Sequence, residues 1–152
     1  MISITEATKE HLPQILEIGK EAISPSWTYD FLLDEYNNGD SYIYTAIDKS
    51  TEESFTHLIS GFVIFRQVGD DSEILQIAVN NKERRKGIGN ALIKVVIKKA
   101  KENGNNSIFL EVRSSNTPAV CLYEKHGFNT IRTRKNYYND PTEDAIVMAL
   151  SL

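Results

Sequence analysis

The sequence of 152 residues predicts a mixed α+β domain in which helices flank a central sheet. Seven short segments have the composition of strands, and four others have the apolar spacing or the end residues of helices. Taken in chain order, these segments give β-α-α-β-β-β-α-β-α-β-β, a pattern typical of an α+β fold. Because no repeat, low-complexity segment or linker interrupts it, we expect residues 1–152 to form a single domain.

Composition and charge exclude several classes of protein. With 41% hydrophobic and 25% charged residues, the chain is typical of a globular protein. Its N-terminus lacks a basic stretch followed by an apolar run, and no segment is long enough to span a bilayer, so we expect a cytoplasmic protein without a membrane partner. A net charge of -4 argues against a nucleic-acid partner. A single cysteine excludes an intrachain disulfide, and the three scattered histidines predict no metal site.

The first half of the chain begins with a short strand at Ile2 and a helix that starts near Leu12. Thr28 is positioned as the N-cap of a second helix, with Trp27 and Leu32 placed to close a hydrophobic staple. Runs of β-branched and aromatic residues then predict three strands, at 42–47, 58–65 and 74–79.

The second half alternates helices with strands. A helix after the fourth strand ends at Gly104, and the almost wholly apolar run 108–112 predicts a central strand covered on both faces. Pro118 and Gly127 bracket a further helix, on which we expect Cys121 to be a small core residue rather than a nucleophile. Two closing strands are predicted, at 128–134 and 144–150.

The loop between the fourth strand and the next helix has the composition of an anion-binding site. It holds three cations and two glycines: Arg84, Arg85, Lys86, Gly87 and Gly89. Glycines let backbone N–H groups approach an anion, and the helix N-terminus adds unpaired donors and a positive dipole end. A solvated basic turn shaped by its glycines is the alternative. The loop has neither the dinucleotide fingerprint nor the P-loop motif.

Glu111 is a carboxylate inside an apolar strand, which is costly unless the group is paired or used. Arg113 projects to the same face, so a structural ion pair between Glu111 and Arg113 is one interpretation. The other is a proton acceptor beside a reacting amine. Tyr123, considered alone, is a core or boundary tyrosine.

Together these segments resemble the GNAT superfamily of N-acetyltransferases over nearly the whole chain. Residues 84–89 match its pyrophosphate-binding signature, and Asn116 with 122–128 matches its later signature. The resemblance implies a GNAT fold: a mixed, mostly antiparallel sheet flanked by helices, with a coenzyme cleft between strands 4 and 5. It also implies acetyl-CoA as cosubstrate, without a metal. The implied coenzyme-binding residues are Ile77, Ala78, Val79, Arg84, Arg85, Lys86, Gly87, Ile88, Gly89, Asn90, Asn116 and Tyr123.

Within the superfamily, the chain resembles the RimI type, which acetylates the N-terminal alanine of a small-subunit ribosomal protein. The likeness involves four runs, at 76–79, 110–116, 136–138 and 143–148. It implies Glu111 as general base and Tyr123 as the acid that protonates the coenzyme thiolate. It also places Trp27, Tyr137 and Tyr138 against the acceptor. Two departures fall on that side: two residues separate the tyrosine pair from Pro141, and Ser26 splits the family's Pro-Trp pair.

The function implied is acetyl transfer from acetyl-CoA to a primary amine, namely the alanine-type N-terminal α-amine of a ribosomal or other protein. A GNAT enzyme acting on a small-molecule amine is one alternative. Another is a non-catalytic acetyl-CoA-binding module, for which loss of the base or the tyrosine would be the sign. We also expect four acidic residues near the acceptor side to attract a cationic acceptor: Asp34, Glu35, Asp140 and Glu143.

Overall fold

A computed structural model of the chain describes residues 2–22, 27–48 and 58–152. Its seven strands form a sheet of order β1-β2-β3-β4-β5-β7-β6. The strands are β1 Ile2–Glu6, β2 Ser41–Asp48, β3 Ile59–Val68, β4 Asp71–Val79, β5 Ser107–Arg113, β6 Asn129–Tyr138 and β7 Glu143–Ser151. Strands β4 and β5 are parallel, and the other neighbouring strands pair antiparallel. The predicted fold class and element order are confirmed.

Four α-helices flank the sheet: α1 Leu12–Ala22, α2 Tyr29–Tyr36, α3 Ile88–Glu102 and α4 Thr117–Lys125. Helix α2 begins as predicted, because the Thr28 hydroxyl accepts a hydrogen bond from the Phe31 amide at 3.2 Å. Trp27 packs edge-to-face on Phe31 and joins the apolar cluster that contains Leu32. Helix α3 is followed by Gly104 at φ +72°, the left-handed conformation that ends helices. Across the described ranges, each helix is too short or too polar to cross a bilayer.

Two apolar cores lie on opposite faces of the sheet. Helices α3 and α4 cover one face with residues such as Leu92 and Tyr123. Helices α1 and α2 cover the other face, where the buried strand residues come from β2, β3 and β4. This second core therefore stops short of β5, β7 and β6.

The prediction that β5 is covered on both faces is wrong. Ile108, Leu110 and Val112 are buried, whereas Phe109, Glu111 and Arg113 are only half-buried. The run 108–112 is almost wholly apolar because it has one buried face and, on the other face, the apolar residue Phe109. That other face is not covered, since the core beneath α1 and α2 includes no residue of β5. The uncovered face gives Glu111 access to solvent and ligands.

Cys121 is exposed, so its prediction as a core residue is also wrong. Helix α4 packs through Ala119 and Tyr123, which are four residues apart and share a side of the helix. Cys121 lies midway between them and projects from the opposite side.

Candidate active site

Strands β4 and β5 separate partway along their length. Their parallel pairing extends only from Ser72 to Ile74 on β4 and from Ile108 to Leu110 on β5. Beside this point, β4 carries an extra residue, because Ile64 pairs with Gln76 and Phe65 with Ile74. Such a bulge bends its strand. The bend opens a cleft of about 1060 Å³, between the two strands predicted to form it.

The cleft passes through the sheet from one face to the other. On the α3/α4 side it is lined by Val112, Asn116 and Tyr123. On the opposite side it is lined by residues of α2 and the two positions before it, of β4 and β5, and of the end of β6: Trp27, Thr28, Phe31, Glu73, Leu75, Gln76, Glu111, Arg113, Tyr137 and Tyr138. The structure thus brings both predicted catalytic residues and all three predicted acceptor residues into one cavity.

The phosphate-loop candidate, residues 84–89, follows β4 and leads into α3. Arg85 and Gly87 have φ values of +66° and +79°, the left-handed conformation that occurs in backbone anion-binding turns. Gly87 is the N-cap of α3 and gives no side-chain cap, so the first amides of this helix keep their donors for a ligand. Helices α2 and α4 are both capped by side chains. At Gly89 a Cβ would lie 3.1 Å from a methyl group of Leu122, so a larger residue there would require the Leu122 side chain to shift.

The side chains of this loop differ in their availability. Lys86 lies 2.6 Å from Glu83, and this hydrogen bond raises the pKa of Lys86. Arg84 and Arg85 are exposed and have no ion pair within the described ranges. They are therefore the loop's free cations.

The other predicted coenzyme residues divide into buried and cleft-lining positions. Ala78 and Ile88 are buried, so they can serve a ligand only through their backbone. Asn90 Oδ1 lies 2.9 Å from His126 Nε2, which ties α3 to α4. Ile77 and Asn116 line the cleft, whereas Val79 packs beside the α3 core.

Glu111 pairs with Arg134 rather than with Arg113. Arg134 Nε lies 3.1 Å from Glu111 Oε1. Arg113 instead binds Glu143 at 3.3 Å and donates to the backbone carbonyls of Asn139 and Pro141. The interpretation of Glu111 and Arg113 as an ion pair within β5 is therefore wrong, because β6 supplies the partner of Glu111 and β7 that of Arg113.

The tyrosine pair lies beside this carboxylate. The rings of Tyr137 and Tyr138 meet edge-to-face, with centroids 5.1 Å apart. The Glu111 carboxylate, hydrogen-bonded to the Tyr137 hydroxyl, raises the pKa of Tyr137. Burial and then the charge of Glu111 raise the pKa of Tyr138 to about 12. The guanidinium of Arg134 lies over the Tyr137 ring, and the guanidinium of Arg113 lies over the Tyr138 ring.

Tyr123 is buried, with 5% of its surface exposed, and reaches the cleft from α4. Burial, followed by the neighbouring Tyr138, raises the pKa of Tyr123 well above its usual range. Its hydroxyl is therefore protonated at neutral pH and is available as a proton donor.

The four acidic residues expected near the acceptor side differ in their positions. Asp140 lines it. Glu35 is buried and bound to Ser41 and Arg66, and Glu143 is engaged by Arg113. Asp34 is exposed but does not line the cavity. Of these four acids Asp140 alone lines the cleft, and the expected attraction of a cationic acceptor stays a prediction.

Phe31 and Glu73 line the cleft and Arg134 lines the smaller groove beside it, and none of the three was predicted from the sequence. Glu73 and Phe31 belong to no recognisable sequence motif. Arg134 lies beside Glu111 only because of the register between β6 and β7. Within residues 2–22, 27–48 and 58–152, no group of His, Cys, Asp and Glu is arranged to hold a metal ion.

Comparison with known proteins gives a consistent result. Residues 9–128 match the profile of the acetyltransferase (GNAT) family. The chain is 32% identical to the ribosomal protein bS18-alanine N-acetyltransferase of Escherichia coli K12, over 100% of this chain and 99% of that protein. It is 31% identical to an N-alpha-acetyltransferase of Saccharolobus solfataricus, covering 99% and 93% of the two chains. The crystal structure of the Escherichia coli S18-alanine enzyme superposes with a TM-score of 0.87 at 30% identity, covering 99% and 94%.

Proposed function

The chain belongs to the GNAT acetyltransferase family, and from this premise we propose that its acceptor is the N-terminal α-amine of a protein that begins with alanine or a similarly small residue. The enzyme is an acetyl-CoA-dependent N-acetyltransferase. The observation that carries the proposal is the cleft through the sheet. It joins a buried tyrosine on one face to a carboxylate and an aromatic wall on the other.

The residues of the α3/α4 side fit acetyl-CoA. The uncapped start of α3, the left-handed turns at Arg85 and Gly87, and the free guanidinium of Arg84 match a pyrophosphate. The bound coenzyme supplies an acetyl group activated as a thioester. Backbone N–H groups of Ile77 and Val79, on the part of β4 that has separated from β5, would hold the pantetheine arm. One of them would stabilise negative charge on the carbonyl oxygen.

The opposite side of the cleft fits an extended peptide end. An α-amine has a pKa of about 7.7–8.0, so at neutral pH it is mostly an ammonium that must lose a proton before it can react. Glu111 is the proton acceptor, directly or through a water. Trp27, Tyr137 and Tyr138 form the walls around the first residues. From the other face, Tyr123 donates its proton to the departing sulfur.

The cellular setting is proposed from the relatives. The bacterial relative is named for alanine acetylation of ribosomal protein bS18, so a small-subunit ribosomal protein is the acceptor that we propose first. This acceptor would be met in the cytoplasm. We also propose that residues 1–152 act as one domain, since a single sheet contributes every strand that lines the cleft.

The experiment compares three acceptors at fixed acetyl-CoA. They are a peptide with a free N-terminal alanine, the same peptide with a blocked N-terminus and an internal lysine, and spermidine. We expect the highest kcat/KM for the free alanine peptide. A higher kcat/KM for the blocked peptide or for spermidine would refute the N-terminal acceptor and leave the family assignment intact.

A further inference from the structure

Glu73 is a second carboxylate in the acceptor side of the cleft. It lies on β4 directly opposite Phe109 of β5, and residues two apart on a strand share a face. Glu73 and Glu111 therefore project to the same side of the parted strands. Both line the main cleft and the smaller groove next to it, of about 330 Å³.

The two carboxylates differ in how their charge is compensated. Glu111 is paired with Arg134 at 3.1 Å and is bonded to the Tyr137 hydroxyl. Glu73 has no ion pair or hydrogen bond from any side chain in the part of the chain that the structure describes. Its cross-strand neighbour Arg66 directs its guanidinium to Glu35, at 3.8 Å.

The other charged groups that the structure describes around Glu73 do not form an ion pair with it. Arg132 and Arg134 of β6 line the adjacent groove, and neither lies within 4.0 Å of the Glu73 carboxylate. Arg113 is engaged by Glu143. Asp140 is the other cleft acid without an ion pair in the described ranges, and it is exposed. Among the described residues that line the cleft, Glu73 is thus the half-buried carboxylate that has no ion pair.

We propose that Glu73 binds the protonated amine of the acceptor before transfer, and that it thereby selects acceptors with a cationic amine at this position. This role rests on the proposed N-terminal acceptor and gives each carboxylate its own task. Glu73 attracts and positions the ammonium, and Glu111 removes its proton. A half-buried, unpaired carboxylate suits the first task, because its attraction for a cation is opposed by no fixed counterion.

The test measures steady-state kinetics of Glu73→Gln with an alanine-initiated peptide that has no lysine or arginine in its first residues. At pH 7 we expect the KM for the peptide to rise on the order of fivefold, with kcat and the KM for acetyl-CoA nearly unchanged. At pH 9.5 most of the α-amine is neutral, so the ratio of KM values should fall toward one. Glu73→Asp, which keeps the charge, should restore much of the affinity.

Asp71→Asn is the matched control, since it removes the same charge from the same strand at a residue that does not line the cleft. Its KM should equal that of the wild type. A Glu73→Gln variant with an unchanged peptide KM, or with the same KM ratio at both pH values, would overturn the role of Glu73. A wild-type enzyme inactive on the peptide would instead overturn the proposed function, and this inference with it.

Discussion

Replacing Gly87 with alanine separates coenzyme binding from folding. Gly87 has a φ of +79°, and a Cβ there would meet no atom within 4 Å. The substitution therefore introduces backbone strain and no clash, at a cost of about 1–2 kcal/mol for an L-residue in the left-handed region. Relaxing that strain rotates the amides at the start of α3 away from the pyrophosphate. Each lost hydrogen bond to a charged group costs about 1.5–3 kcal/mol, so the Kd for acetyl-CoA should rise roughly ten- to hundredfold.

Isothermal titration calorimetry and thermal unfolding measure the two effects on the same protein. Gly104→Ala is the matched control, because Gly104 ends the same helix at φ +72° and has equally open surroundings. Both variants should lose a few degrees of Tm, about 2–4 °C for each kcal/mol. Only Gly87→Ala should lose coenzyme affinity. Equal Kd values for the two variants would refute the assignment of residues 84–89 to the pyrophosphate.

The remaining predictions concern the two predicted catalytic groups. Glu111→Gln should depress kcat/KM most near neutral pH and recover in part as pH rises past the amine pKa of about 8, where the acceptor deprotonates unaided. A pH–rate profile with no such recovery would assign Glu111 a structural role in its pair with Arg134. Tyr123→Phe should lower kcat about a hundredfold or more while calorimetry gives a nearly unchanged Kd for acetyl-CoA, because the hydroxyl is needed only when the sulfur departs. Weakened coenzyme binding with intact kcat would contradict this.

Local sequence signals account for most of the fold. Thr28, Pro118 and Gly104 mark helix ends through capping, a fixed φ and the left-handed conformation, which are effects of the neighbouring few residues. Coverage of β5 and exposure of Cys121 depend on which helix reaches which part of the sheet. Such long-range packing is harder to predict from the sequence of a short apolar run.

The residues of the site also divide into those predicted from local motifs and those placed by long-range strand pairing. The loop at Gly87 and the residues Glu111 and Tyr123 belong to contiguous motifs and were found from the sequence. The partner of Glu111 was not, because Arg134 is 23 positions away and approaches only through the pairing of β6 with β7 and β7 with β5. Glu73 reaches the same cavity through the parallel pairing of β4 with β5.

A cleft lined from both faces of the sheet gives the coenzyme and the acceptor a separate face each. Coenzyme and acceptor need not pass one another, so geometry permits either to bind first and either product to leave first. This separation also allows the coenzyme site and the acceptor site to change independently in evolution. Exchange of Phe31 or Tyr137 alters the acceptor side alone, since both lie on the face away from α3 and α4. A lineage can therefore change which protein it modifies while its acetyl donor site stays the same.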